Sequence, residues 1–306
     1  MRFHCRVSLL LAGVLCGLPA GLYAQEAARG AALLAEARAA LGGEERLRAV
    51  KTLDVRGDFK RAAGPISAEG ELQIRLERPD KLRRDEDLSP PGGGPAVVRT
   101  EVLNGDVVWD ENSGRGGFVG RFGRGGGARG GGAVGDGPRG GGRAALDPAQ
   151  LEQAQRRARQ TDLSRFLLAW LLLTDDAVAW VGTAEAPDGR ADVLEITPAT
   201  GPATRLFLDQ TSHLPLMITW QGGAQQPLLA GRRGRGDAGT GDAAAPPPQG
   251  PPQPATFQMT LGEYKAVNGV RLPHLITRAV NDMTIEEWTV KSYRINPSFR
   301  ADIFTR

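Results

Sequence analysis

The chain has 306 residues, with 38 lysines and arginines against 35 aspartates and glutamates, a formal net charge of +3, and two cysteines, Cys5 and Cys16. So few cysteines exclude a disulfide scaffold. The basic excess sits in two glycine-rich stretches, with six arginines in 115–143 and three in 232–235, whereas a nucleic-acid-binding domain builds a basic face into its fold.

The N-terminal run "MRFHCRVSLLLAGVLCGLPAGLYAQE" sets Arg2 and Arg6 before an apolar stretch from Val7 to Leu18, followed by Ala20 and Gly21 and by Ala24 before Gln25, with Leu22 where a smaller residue is usual. A basic head, an apolar run of about 7–15 residues and a small-residue exit describe a secretory signal peptide. The run is shorter than the roughly 20 residues that span a bilayer. Cleavage near Ala24 removes both cysteines, and with them any thiol nucleophile or thiolate metal site. Cys16 follows Leu15 rather than a small residue, which argues against lipidation. The expectation is a signal over 1–24 and one extracytoplasmic domain over 25–306.

The segment "EAARGAALLAEARAALGGEERLRAVKTL" reads as helix. Leu33, Leu34, Ala37 and Leu41 form an apolar stripe, and Gly42-Gly43 stops it. From Thr52 the period becomes two, with Leu53, Val55 and Phe59, then Leu72, Ile74 and Leu76, on one face. "AVVRTEVLNGDVVWD" is a hairpin turning at Asn104-Gly105.

Residues 111–143 hold sixteen glycines and no periodicity, and are expected to be a disordered insertion. Asp147-Pro148 is an N-cap and first-turn pair for a second helix. Its end, Leu163 to Leu173, is apolar almost all round, Phe166 and Trp170 included, which predicts a buried helix.

Hairpins follow, turning at Asp188-Gly189 and near Thr211-Ser212. A second insertion, 222–255, is rich in glycine and arginine and then in alanine and proline. The last strands turn at Asn268-Gly269 and end in "MTIEEWTVKSYRIN". Some ten strands joined by short turns, with two helices, predict an α+β fold, mainly antiparallel: a strongly bent sheet or open barrel.

Motifs for catalysis are missing from the sequence. His213 and His274 lack partners at ligand spacing, and there is no H-E-x-x-H, no G-x-S-x-G and no Gly-Lys pair for a phosphate loop. The match "GGGARG" at 125–130 lies in a stretch so glycine-rich that it carries no weight. Asp175-Asp176, Glu286-Glu287 and the "DED" at 85–87 read as solvated turns and strand faces, because adjacent strand residues point to opposite sides. No metal, cofactor or catalytic group is expected.

The apolar residues carry more information. Phe59, Leu72, Ile74, Leu76, Trp180, Leu194, Ile196, Leu206, Leu208, Ile218, Trp220, Phe257, Met259, Leu261 and Trp288 fall on one face of the sheet, with Phe166 and Trp170 on the helix above. They make either an ordinary core or the wall of a cleft for an acyl chain.

The order of "LERPDKLRRDE", "LNGDVVWD", the apolar helix, "RLFLDQTSHLPLMITW", "LGEYKAVNGVRLPHLITRA" and "WTVKSYRINPSF" resembles the exported LolA-like proteins, the outer-membrane lipoprotein-sorting family. The resemblance covers most of 30–303 apart from the two insertions. It implies an unclosed β-barrel with an N-terminal helix, an apolar helix on the concave face, and a hydrophobic cavity for acyl chains of lipids or lipoproteins.

The function expected from this is non-enzymatic binding in the periplasm by a monomer, with lipid or lipoprotein transfer toward the outer membrane. The alternative is an envelope sensor or scaffold of the same fold with a protein partner. Arg115, Arg121, Arg124 and Arg129 would then touch an anionic membrane surface rather than nucleic acid.

Overall fold

The computed structural model describes residues 20–63, 66–89, 97–113, 147–186, 189–199, 201–224 and 253–306. Helices α1 (Ala20–Leu41) and α2 (Glu44–Ala49) lead into strands β1 (Thr52–Ala63), β2 (Ile66–Glu77), β3 (Lys81–Ser89), β4 (Val97–Asn104) and β5 (Val107–Ser113). Helix α3 (Pro148–Leu171) follows. It precedes β6 (Ala177–Ala186), β7 (Gly189–Thr197), β8 (Thr204–Asp209), β9 (Pro215–Ala224), β10 (Gln253–Val267), β11 (Val270–Val280) and β12 (Met283–Ile295).

All twelve strands form one antiparallel sheet in the order β5-β4-β3-β2-β1-β12-β11-β10-β9-β8-β7-β6. Each arm is therefore a meander of neighbouring strands, and a single seam between β1 and β12 joins them, Leu53 opposite Ile295 and Arg61 opposite Glu286. The edge strands β5 and β6 do not pair with each other, so the curled sheet is an unclosed barrel. This is the expected fold class.

Local chemistry explains the joints. Asn268 and Gly269 take φ of 50° and 81°, the left-handed pair that a two-residue hairpin needs and that Asn-Gly supplies. Gly42 and Gly43, both at positive φ, stop α1 where the stripe ends. Asp147 accepts a hydrogen bond from the Ala149 amide at 3.1 Å, with proline at the first helical position, as the sequence predicts.

Twelve strands replace the expected ten or so, chiefly because β3 was not legible. "KLRRDEDLS" offers only Leu82 and Leu88 as apolar marks, yet its inward positions Leu82, Arg84, Glu86 and Leu88 alternate as a strand requires. The expected insertion limits also move. Residues 111–113 belong to β5, and Gly222, Gly223 and Ala224 pair with Ala255, Pro254 and Gln253. Backbone ladders continue where side-chain patterning has stopped. The rest of both insertions lies outside the described residues, as do the four arginines expected at a membrane surface and residues 1–19 of the signal. Ala24, the expected cleavage position, is an exposed residue of α1.

The two helices are exchanged between the arms. α1, which precedes the first arm, lies on β6 and β11 of the second; α3, which precedes the second arm, lies on β3, β4 and β5 of the first and reaches β9. The α1 contact is close. A Cβ on Gly30 would stand 2.8 Å from the Trp180 backbone nitrogen. Arg29 stacks over the Trp180 ring at 3.5 Å, and Arg38 donates to the Leu172 carbonyl at the end of α3 at 3.0 Å.

Candidate functional site

The concave face changes character along its length. On β1 the inward series runs Leu53, Val55 and Phe59, all buried, and then Arg61. On β3 it goes from Leu82 to Arg84 and Glu86, on β12 from Trp288 to Glu286, and on β11 from Ile276 to Arg278. One end of the trough is apolar and the other is charged.

Helix α3 matches this division. Its C-terminal half buries Leu163, Phe166, Leu168, Ala169, Trp170 and Leu171. Phe166 stacks on Trp170 at 4.7 Å and leans on Trp288 at 6.1 Å. Its N-terminal half is held by ion pairs: Arg156 to Asp106 at 3.0 Å, Arg159 to Glu101 at 2.8 Å and to Asp110 at 3.1 Å. Each large buried apolar side chain contributes about 1.5–3 kcal/mol, whereas an exposed ion pair such as Arg156–Asp106 contributes about 0–1 kcal/mol. The C-terminal half is anchored by apolar packing and the N-terminal half by ion pairs, of which Arg159–Glu101 is largely buried.

Between these halves a cleft of about 430 Å³, counted with its opening to solvent, is lined by Leu82, Arg84, Glu101, Arg159, Asp162, Arg165, Phe166, Trp220, Met259 and Arg278. Its enclosed part is only about 20 Å³, room for a single water, so a larger guest needs side chains to move. Apolar Leu82, Phe166, Trp220 and Met259 are continuous with the core.

Beneath the charged wall lies a dense ionic cluster. Glu286, 2% exposed, meets Arg61 at 2.6 Å, Arg84 at 3.1 Å and Arg278 at 2.8 Å. Glu86, also 2% exposed, meets Arg84 at 2.5 Å and Arg61 at 2.8 Å. Burial alone would raise both acids' pKa values. The guanidiniums outweigh it, chiefly Arg84 at both sites, holding Glu86 at about 2 and Glu286 well below the ordinary carboxylate range. The expectation that Glu286 and the 85–87 acids are solvated is corrected here for Glu286 and Glu86. The alternation does send neighbours to opposite faces, and these two face inward.

Arg165 and Asp162 are different. Their only ionic contact with each other is at 3.9 Å, and Asp162 is equally far, 3.9 Å, from Arg159. The Arg165 guanidinium lies over Trp220 at 4.1 Å, and its Nε is buried without a hydrogen-bond partner among the described residues. Burial lowers the Arg165 pKa to about 10, with Arg278 adding to the effect and Asp162 opposing it. Burial raises that of Asp162 against the pull of Arg278, Arg159 and Arg165.

The seventeen residues expected to line a cavity are placed as follows. Phe166, Trp220 and Met259 stand on the cleft. Phe59, Leu72, Ile74, Leu76, Trp170, Leu194, Ile196, Leu206, Leu208, Ile218, Leu261 and Trp288 belong to the buried cluster, with Trp180 and Phe257 packed against it. Sequence reasoning missed the charged wall. The signals were present: the alternation of β3, and the spacing of Arg159, Asp162 and Phe166 on one helical face.

His274 is buried against Tyr293 with Nδ1 3.0 Å from the Leu272 carbonyl, and His213 sits 3.6 Å from Glu36 at a turn. No cluster of three or more potential metal ligands occurs among the described residues, and no described helix is long and apolar enough to cross a membrane.

No protein-family model and no curated protein matches the chain. Among solved structures it is similar to an outer-membrane lipoprotein-sorting protein domain from Vibrio parahaemolyticus, at 12% identity and a TM-score of 0.44, over 91% of this chain and 97% of that one. It is similar to a LolA superfamily protein from Nitrosomonas europaea, at 12% identity and a TM-score of 0.45, over 90% and 97%. A DUF1329 family protein from Desulfovibrio piger matches at 8% identity and a TM-score of 0.42, over 90% and 96%. The first two carry the names of the group that the sequence resembles.

Proposed function

We propose that this chain is an exported binding protein that takes the acyl chain of a lipid or lipoprotein under the N-terminal half of α3, for carriage across the periplasm. One observation carries the reading. The cleft opens where the helix is held by ion pairs, and its floor of Leu82, Phe166, Trp220 and Met259 runs on into the core. A hydrocarbon entering there meets apolar surface at once, and making room means parting the ion pairs of α3, the exposed Arg156–Asp106 and the largely buried Arg159–Glu101. The N-terminal signal pattern supports export, and the sequence resemblance supports the ligand class.

The test is native mass spectrometry with organic extraction of full-length protein purified from the periplasm. A stoichiometric acyl-containing species is expected. Ligand-free protein that also fails to take up a 16-carbon lipid in vitro would overturn the proposal.

The scaffold reading draws on β5, whose outer edge is unpaired among the described residues and whose residues are largely exposed. Its mark would be a protein partner that is lost when β5 residues facing solvent are replaced by proline.

A further inference from the structure

We propose that the cleft is a binding site for a singly charged oxyanion, a carboxylate or phosphodiester, with Arg165 as its principal ligand. The wall of the cleft brings four arginines together with two acids. Three of the four are already engaged. Arg84 and Arg278 contact Glu286 at 3.1 and 2.8 Å, and Arg159 contacts Glu101 at 2.8 Å. Arg165 is not engaged in this way, because 3.9 Å to Asp162 is beyond a hydrogen bond.

A guanidinium carries five N–H donors in a flat fork. The Arg165 side chain is 13% exposed, and its buried Nε finds no acceptor among the described residues. A buried, incompletely paired cation is costly, so the fold must hold it by other means. Trp220 does so from one face at 4.1 Å. Stacking fixes the plane of the fork and leaves its edge, where the donors are, free to meet a planar two-oxygen group.

The same wall limits the charge of the ligand. Asp162 lies 3.9 Å from Arg165, its side chain 40% exposed, and Glu101 shares the wall of the cleft. Two carboxylates at close range disfavour a dianion more than a monoanion. Beside the fork lie Phe166, Trp220 and Met259. The ligand that fits both parts is an amphipath with one negative headgroup at the mouth and carbon behind it. In that lipid form the inference rests on the acyl-binding reading; a short free carboxylate shares the chemistry of the headgroup and is the other source.

Isothermal titration of the full chain with palmitate, palmitoyl-lysophosphatidylglycerol and neutral monopalmitoylglycerol tests it, with hexanoate as the short probe. Charge-assisted hydrogen bonds are worth about 1.5–3 kcal/mol, so both anionic lipids should bind about tenfold or more tighter than the neutral one. Arg165→Gln should abolish that preference by weakening the two anionic lipids more than monopalmitoylglycerol, and Arg165→Lys should keep part of it.

Equal affinity of the wild type for all three lipids overturns the oxyanion site and leaves acyl binding standing. So does an undiminished preference in Arg165→Gln. If no lipid binds but hexanoate raises the melting temperature of the wild type and not of Arg165→Gln, the oxyanion site stands and acyl carriage fails. No response to any of the four probes overturns both.

Discussion

Glu286 accepts from arginines on three strands, Arg61 of β1, Arg84 of β3 and Arg278 of β11. Removing it leaves Arg61 and Arg84 sharing Glu86 alone and takes the carboxylate from Arg278, with Arg84 and Arg278 over the Trp288 ring. Glu286→Ala should therefore destabilise by about 3–5 kcal/mol, the usual result of breaking a buried ionic cluster, read as a lower urea midpoint. The depressed pKa values of Glu86 and Glu286 fix the direction of the pH dependence. A carboxylate whose folded pKa lies below its unfolded value adds stability above about pH 4.5, and that stability is lost as the pH falls toward 2. Urea titrations at pH 6 and pH 3 should show a smaller difference in Glu86→Gln than in the wild type. At this scale the sequence was legible for the apolar residues, whose burial follows from period and hydrophobicity. It was not legible for Glu286 and Arg84, because burial of a charge depends on partners from distant strands.

Helix α1 meets the sheet edge through Gly30, where an added side chain runs into the backbone of β6. Backbone cannot give way as a flexible side chain can. Gly30→Leu should cost about 1–3 kcal/mol, and hydrogen exchange should speed up first in β6. At the other helix, Asp147→Ala removes the cap of α3 and should cost about 1 kcal/mol, a smaller effect because the anchor is the far half around Phe166 and Trp170. The stop of α1 and the start of α3 were legible, since a glycine stop and a cap are written locally; the start of α1 at Ala20 was not. β3 was hidden by its charges, and the lengths of β9 and β10 were hidden because Gly222, Gly223 and Pro254 pair through a ladder that composition does not reveal.

For the whole molecule, the ladder from Ala224 to Gln253 brackets residues 225–252. Replacing those residues by Asn-Gly should raise the melting temperature rather than lower it, because the loop shortens by nearly four halvings and loop-closure entropy changes by about 0.6 kcal/mol for each. Circular dichroism during heating measures it, and a large loss would show that the segment helps to hold the sheet. The unclosed barrel was legible from the run of hairpins; the seam between β1 and β12 was not, since it joins residues more than two hundred positions apart.

That seam and the crossed helices have a joint consequence for assembly. A break placed in 114–146 divides the chain into β1–β5 with α1, and β6–β12 with α3. Each piece then holds the helix that covers the other, and each presents one unpaired strand of the seam. Two such fragments expressed separately should find each other and reconstitute the protein. The N-terminal piece without α1 should do so far less well.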